Sequence, residues 1–264
     1  MGWFSRFNAV PKVARIASGK RVYAVGDIHG RNDLLERLLK QILEDAALAP
    51  AIEKILIFLG DYVDRGPASK AVLDTLSNLK WPDWKIVFLR GNHDQAVLDF
   101  FQDSNSYRGW RSYGAAETLL SYGVLPPRLE READFDKAKQ ELAQRLPQSH
   151  LEFLKGLQYF HIVDDYMFVH AGIRPGIPIN EQLPEDLMWI REEFLNSRSD
   201  LPKKVVHGHT PSEKPIQARN HIGVDTGAHA THCLTAAVLE DDRCTFLQTT
   251  RTPRAELIAE TAGI

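Results

Sequence analysis

The sequence predicts an α/β protein built on parallel strand–helix–strand units. Short apolar runs alternate with helical-period segments over the first hundred residues. Several of those runs end in glycine-bearing turns that carry Asp, Asn or His. Right-handed crossovers bring such turns to one edge of a sheet, where ligands bind in this fold class.

Residues 21–25 (RVYAV) form a short buried strand, and Leu34, Leu35, Leu38, Leu39 and Ile42 then recur at helical spacing. Residues 53–60 (EKILIFLG) are a second strand. Residues 67–79 form a helix with Pro67 suited to its first turn. A third strand covers residues 84–91 (WKIVFLRG), and a helix starts over residues 94–101. Residues 103–150 break the alternation: they are polar, helical in pieces and interrupted by GVLPPRLER, and read as an insertion or cap. Strands resume at YFHIV and YMFVHAG, EDLMWIREEF is helical, and KKVVHGHT is a strand with a polar end. HIGVDTG, CLTAAVLE and RCTFLQT make a closing set of mostly antiparallel strands, so two sheets are expected. The expected organisation is a loosely held N-terminal arm over residues 1–18, then one domain over residues 19–264 carrying the helical insertion 103–150.

The composition suits one globular domain: of 264 residues 44% are hydrophobic and 25% charged. A net charge of −3 with no basic run argues against nucleic-acid binding or an anionic-membrane partner. No apolar run approaches the ~18 residues of a membrane span. The first ten residues lack a signal-peptide apolar core, and Arg6 stands where a myristoylation signal wants Ser or Thr. Cys233 and Cys244 show no CxxC spacing and read as reduced thiols, with a cytoplasmic location expected.

Chemistry concentrates at strand ends. Asp27 and His29 close the first strand in VGDIHG, Asp61 and Asp64 the second in LGDYVDRG, and Asn92 and His93 the third in LRGNHD. FVHAG brings His170, and VHGHT brings His207 and His209. One such turn is commonplace, since Asp and Asn favour turns and a lone His is usually structural. Five at the ends of strands share no structural explanation. Mixed imidazole, carboxylate and amide donors suit Mn, Fe or Zn rather than calcium. Asp27, His29, Asp61, Asn92, His170 and His209 exceed one tetrahedral shell. Two ions sharing a carboxylate would use them all, and ions ~3.5–4 Å apart clamp both oxygens of an in-line displacement.

On GDIHG, GDYVDRG, GNHD, HAG and GHT, which span Gly26 to Thr210 in order, the chain resembles the phosphoprotein-phosphatase branch of the calcineurin-like metallophosphoesterases. The resemblance implies a β-sandwich flanked by helices with a dimetal site at one edge. It implies that Asp27 and His29 bind the first metal, that Asp61 bridges, and that Asn92, His170 and His209 complete the second. His93 is implied as the general acid, oriented by Asp64. Arg65 is implied as a phosphate ligand, with Arg191 as the second and Arg174 as its rival. The metals implied are two divalent transition ions, manganese first, with iron or zinc as alternatives. Asp94 where relatives often have Glu, HAG in place of HGG, and the later VDTGA place the chain beside bacterial and phage members.

The expected activity is hydrolysis of phosphoserine and phosphothreonine in proteins, with phosphotyrosine as a further substrate, by direct attack of a metal-bridging hydroxide. The alternative is a symmetric dinucleoside-tetraphosphate hydrolase, which needs base-stacking rings and extra cations. Arg108 and Arg111 among Tyr107, Trp110 and Tyr113 could supply them, or those rings could anchor the cap. A non-catalytic phosphoprotein-binding module should have lost ligands, and every expected ligand is present. Residues 103–150 are expected to govern substrate choice without contributing to the metal site. His207 is left open as a ligand. His161, His221, His229 and His232 read as surface or supporting residues, and Met188 and Trp189 as core.

Overall fold

The computed structural model describes residues 13–49 and 53–249. Its first sheet contains β1 (Lys20–Val25), β2 (Glu53–Phe58), β3 (Trp84–Phe88), β9 (Thr235–Glu240) and β10 (Arg243–Gln248), in the order β10-β9-β1-β2-β3. The second contains β4 (Phe160–Val163), β5 (Tyr166–Val169), β6 (Lys204–His207), β7 (Ile216–Gln217) and β8 (His221–Gly223), in the order β4-β5-β6-β8-β7. Each sheet contains a parallel triple: β1, β2 and β3 form one side of the first sheet, with β3 at its edge, and β5, β6 and β8 form the centre of the second. The closing strands are mostly antiparallel, as expected, but they divide between the two sheets. β9 and β10 return antiparallel to the first sheet, whereas β8 joins the second sheet parallel to β6.

The strands read as unbroken apolar runs because both of their faces are buried. Val22, Ala24, Ile55 and Ile57 meet Phe168, Val206 and Ile222 between the sheets. The alternate residues Tyr23, Val25, Leu56 and Phe58 face the other way, onto helices. Those helices are α1 (Asn32–Leu48), α2 (Ser69–Ser77) and α3 (Asn92–Gln102). The helical stretch that follows packs beside them: α4 (Tyr107–Trp110), α5 (Ala115–Ser121), α6 (Glu132–Arg145) and α7 (Gln148–Lys155). On the outer face of the second sheet, Met167, Val169 and Val205 pack with Leu187, Ile190 and Phe194 of the region containing α8 (Pro184–Trp189) and α9 (Glu192–Leu195). A last short helix, α10 (Ala228–Thr231), precedes β9.

Three local expectations are corrected. Pro67 lies outside α2, which begins at Ser69 after Ala68. The helix expected over residues 185–194 is interrupted: Arg191, at φ −131° and ψ −99°, separates α8 from α9. The expected N-terminal arm lies outside the described residues up to residue 12, and its described end is pinned. Ile16 is buried between the sheets, and its N–H donates to Asp241 O at 2.7 Å.

Candidate active site

The carboxyl ends of both parallel triples converge. β1, β2 and β3 deliver Asp27 and His29, Asp61 and Asp64, and Asn92 and His93; β5 and β6 deliver His170 and His209. All eight side chains are buried. The turns that carry them are tightly wound. Five of the nine described non-glycine residues at positive φ are His29, Asp61, Asp64, Arg65 and His209. Such conformations cost about 1–3 kcal/mol each and persist where the surroundings over-determine them. Gly91 and Gly208 allow the closest approaches, since a Cβ on either would collide with Oδ1 of Asp61 and of Asp27 respectively. Asp94 ties the turns together: its carboxylate accepts N–H bonds from Asp61 (2.9 Å), Tyr62 (3.0 Å) and Gly91 (2.9 Å).

Asp61 Oδ2 is the centre of the cluster. It lies 3.5 Å from His29 Nε2, 3.7 Å from His93 Nε2 and 3.4 Å from His170 Nε2. Two candidate metal-holding groups share this carboxylate, one with His29 and His93, the other with His170 and His209. The ring partners indicate the tautomers. His29 Nδ1 and His170 Nδ1 face the carbonyl oxygens of Val63 (2.8 Å) and Leu59 (2.9 Å), so they carry the protons. His170 Nε2 then turns a lone pair toward two oxygen acceptors, Asn92 Oδ1 at 3.0 Å and Asp61 Oδ2 at 3.4 Å, with His209 Nδ1 beside it at 3.2 Å. Lone pairs facing each other in a buried space call for a cation, and the donor set fits a borderline divalent metal.

Electrostatics separates the histidines. Burial lowers the pKa of His29, of His170 and, to about 2, of His209, keeping these rings neutral as ligation requires. Burial also opposes a charged His93, but Asp61 and then the Asp64 hydrogen bond outweigh it and raise its pKa. Among the described histidines whose pKa is displaced, His93 alone moves up. Its Nδ1 is bound to Asp64 Oδ2 at 2.7 Å. Geometry alone groups His93 with the metal-holding side chains, whereas its partner and its charge preference suit a proton donor. Asp61 is held low: its burial is outweighed by the surrounding histidines, His170 foremost.

The arginines diverge. Arg65 reaches His29 Nε2 at 2.9 Å and His93 Nε2 at 3.1 Å. Arg191 donates to Thr210 Oγ1 at 3.3 Å and lies close enough to His170 and His209 to disfavour their protonation. Arg174 is engaged elsewhere, with Asp186 (2.9 and 2.5 Å) and Glu193 (2.7 Å). His207 belongs to neither candidate metal-holding group and packs on Phe194 and His221.

Asp225 and Thr118 escaped sequence reasoning, and the structure gives the remaining candidates their places. β8 is a sixth strand with a polar end. Its Asp225 is buried against Asp27, with its carboxyl pushed up to about 6 by burial. His229 meets His29 edge-on at 5.4 Å, and His221 is buried. Trp189 is 38% exposed, beside His209 (5.9 Å) and Tyr113 (5.4 Å), so it lines the mouth of the site instead of the core. Tyr107 and Trp110 are buried, and Arg108 pairs with Glu132 at 2.9 Å. Of the YRGWRSYG cations, only Arg111 lines a cleft with Arg65, of about 380 Å³. Residues 103–150 also reach deeper than expected, because Trp110 and Thr118 hydrogen-bond Asp64. The polar turn VDTG at the end of β8 is the signal that could have found Asp225; no local pattern marks Thr118.

The sequence profile described as calcineurin-like phosphoesterase matches residues 20–245. The chain is 30% identical to serine/threonine-protein phosphatase 1 of Salmonella typhimurium over 215 residues, covering 79% of this chain and 87% of the relative. It is 28% identical to the asymmetrical bis(5'-nucleosyl)-tetraphosphatase PrpE of Anoxybacillus flavithermus over 225 residues, covering 77% and 84%. A cold-active protein-tyrosine phosphatase of a psychrophilic Shewanella shares the fold, with a TM-score of 0.58 at 16% identity over 94% of this chain and 89% of its own.

Proposed function

The chain belongs to the calcineurin-like phosphoesterase family of dimetal-dependent phosphoester hydrolases, and from that premise we propose that it removes phosphoryl groups from phosphoproteins. The supporting observation is Asp61 Oδ2 lying between two groups of candidate metal-holding side chains, with the Asp64–His93 pair alongside. Asp27, His29 and Asp61 would hold one cation, and Asp61, Asn92, His170 and His209 would hold the other. Two bound divalent cations supply Lewis acidity and an activated water. Arg65 and Arg191 clamp the nonreacting phosphoryl oxygens. His93 gives the proton on Nε2 to the leaving oxygen while Asp64 holds its ring.

For the leaving group, Trp189 and Arg191 border a cleft of about 680 Å³ whose walls include Glu185, Glu192 and Glu193. Arg174 neutralises part of that acidity, and the remaining carboxylates favour a polypeptide over a chain of phosphates. A second reading, dinucleoside-polyphosphate hydrolysis, is favoured by the Arg65–Arg111 cleft and by the PrpE relative; that relative is asymmetrical, unlike the symmetric enzyme first expected.

The test is turnover of a phosphopeptide set and of diadenosine tetraphosphate by the same metal-loaded preparation, before and after exhaustive chelation. Phosphopeptide kcat/KM should be the larger, and chelation should abolish both activities. A dinucleotide preference of ~100-fold, about 2.7 kcal/mol of transition-state binding, overturns the substrate assignment. Full activity in protein shown by analysis to be metal-free overturns the dimetal assignment.

A further inference from the structure

The Asp64 carboxylate is fully buried and filled from two separate parts of the chain. Oδ2 accepts from His93 Nδ1 at 2.7 Å and from Trp110 Nε1 at 2.8 Å. Oδ1 accepts from Thr118 Oγ1 at 2.6 Å. The Thr118 hydroxyl oxygen in turn accepts the Asp64 N–H at 2.8 Å and sits 3.0 Å from Ser69 Oγ. We propose that Trp110 and Thr118 are positioning residues for the proton-donating His93: they fix the Asp64 carboxylate against which the imidazole is aligned.

A buried carboxylate offers about four acceptor sites, and the imidazole fills one. The carboxylate plane turns about χ2, a soft sp3–sp2 torsion, and the imidazole engages only one of its two oxygens. Two neutral donors stop that rotation without introducing a charge that would compete with the imidazolium. The Thr118 proton is committed, since its oxygen already receives the Asp64 N–H, leaving its own O–H for Oδ1. The indole cannot swing aside. Trp110 is 1% exposed and packed against Phe100 at 5.3 Å and Tyr107 at 6.4 Å. Both donors come from the helical stretch after α3, so its packing is transmitted to the reacting proton through Asp64 and His93.

The inference rests on His93 being the proton donor, and the experiment separates the two. Trp110→Phe, Thr118→Val, Thr118→Ser and His93→Asn are compared with wild type on phosphate monoesters of graded leaving-group pKa. Each variant is checked for metal content and thermal unfolding. Trp110→Phe and Thr118→Val should lower kcat on alkyl phosphates about tenfold or more, the effect of losing one hydrogen bond to a charged group, with KM unchanged. The loss on p-nitrophenyl phosphate should be under about threefold, because that leaving group needs little protonation. Thr118→Ser should restore the wild-type dependence. Trp110 is a core residue, so the Thr118 pair provides an independent arm if Trp110→Phe folds poorly. Equal losses across the ester series, or no loss, overturn the positioning role while His93→Asn retains its leaving-group dependence. A flat series for His93→Asn itself overturns the proton-donor assignment on which the proposal stands.

Discussion

At the scale of single residues, environment decides which histidine does what. His93 is pushed toward the charged form by Asp61 and Asp64, while burial keeps His29, His170 and His209 neutral. His207 shows the same physics outside the cluster. Burial lowers it to about 3, and its Nε2 has no hydrogen-bond partner. An unfolded histidine titrates near 6.5, so below that pH the unfolded chain takes up a proton that the native ring refuses. Stability is therefore lost as pH falls from about 6.5 toward 3, and this ring contributes on the order of 2 kcal/mol of that loss between pH 7 and 5. His207→Phe should make the slope of unfolding free energy against pH shallower in that window. The measurement is denaturant unfolding of chelated wild type and variant. An unchanged slope would place the titrating groups elsewhere.

At the scale of elements, interruptions decide where the arginines go. The break between α8 and α9 turns Arg191 toward Thr210 and leaves Arg174 to pair with Asp186 and Glu193. A continuous helix would have kept Arg191 on the helical register. The stretch after α3 likewise divides its two arginines: Arg108 lies over Phe135 and pairs with Glu132, while Arg111 faces the cleft shared with Arg65. Arg111→Ala should therefore raise KM several-fold for substrates with a second anionic group and leave p-nitrophenyl phosphate turnover unchanged. Arg108→Ala should leave both sets of kinetics unchanged and destabilise the fold by at most about 1 kcal/mol, as expected for an exposed pair. Steady-state kinetics on diadenosine tetraphosphate, a diphosphorylated peptide and the aryl ester distinguish the two. Matching effects of both variants would contradict this division.

At the scale of the whole molecule, the cluster is a junction between two sheets. Asp27, Asp61 and Asn92 come from the first sheet, and His170 and His209 from the second, so ligands shared across the cluster join the sandwich at its edge. Cations bound there should stabilise the fold by mass action, by about 4 kcal/mol at a thousandfold excess over Kd. For a chain of this size that corresponds to roughly 8–16 °C in Tm. Calorimetry of Mn-loaded and chelated protein should show such a gap. Asp61→Asn, which weakens both positions, should nearly close it, and His29→Ala should close only part. A full gap in Asp61→Asn would remove this carboxylate from the centre of the site. Among the described residues, no helix is long and apolar enough to cross a membrane.

The sequence by itself determined the strand ends. Unbroken apolar runs and the glycine-flanked turns after them are local properties, and parallel crossovers oblige those turns to meet. That is why Asp27, His29, Asp61, Asn92, His93, His170 and His209 could be grouped in advance, and why the structure brings them together. The tertiary structure alone decided which arginine is free, that Asp225 joins Asp27, that Trp189 stands at the mouth, and that Trp110 and Thr118 hold Asp64. Trp110 and Thr118 lie 46 and 54 residues from Asp64 in the chain. No periodicity or turn rule reaches that far. Those contacts exist because the helical stretch packs its buried rings onto the first sheet's helices, and the donors are carried to Asp64 by that packing.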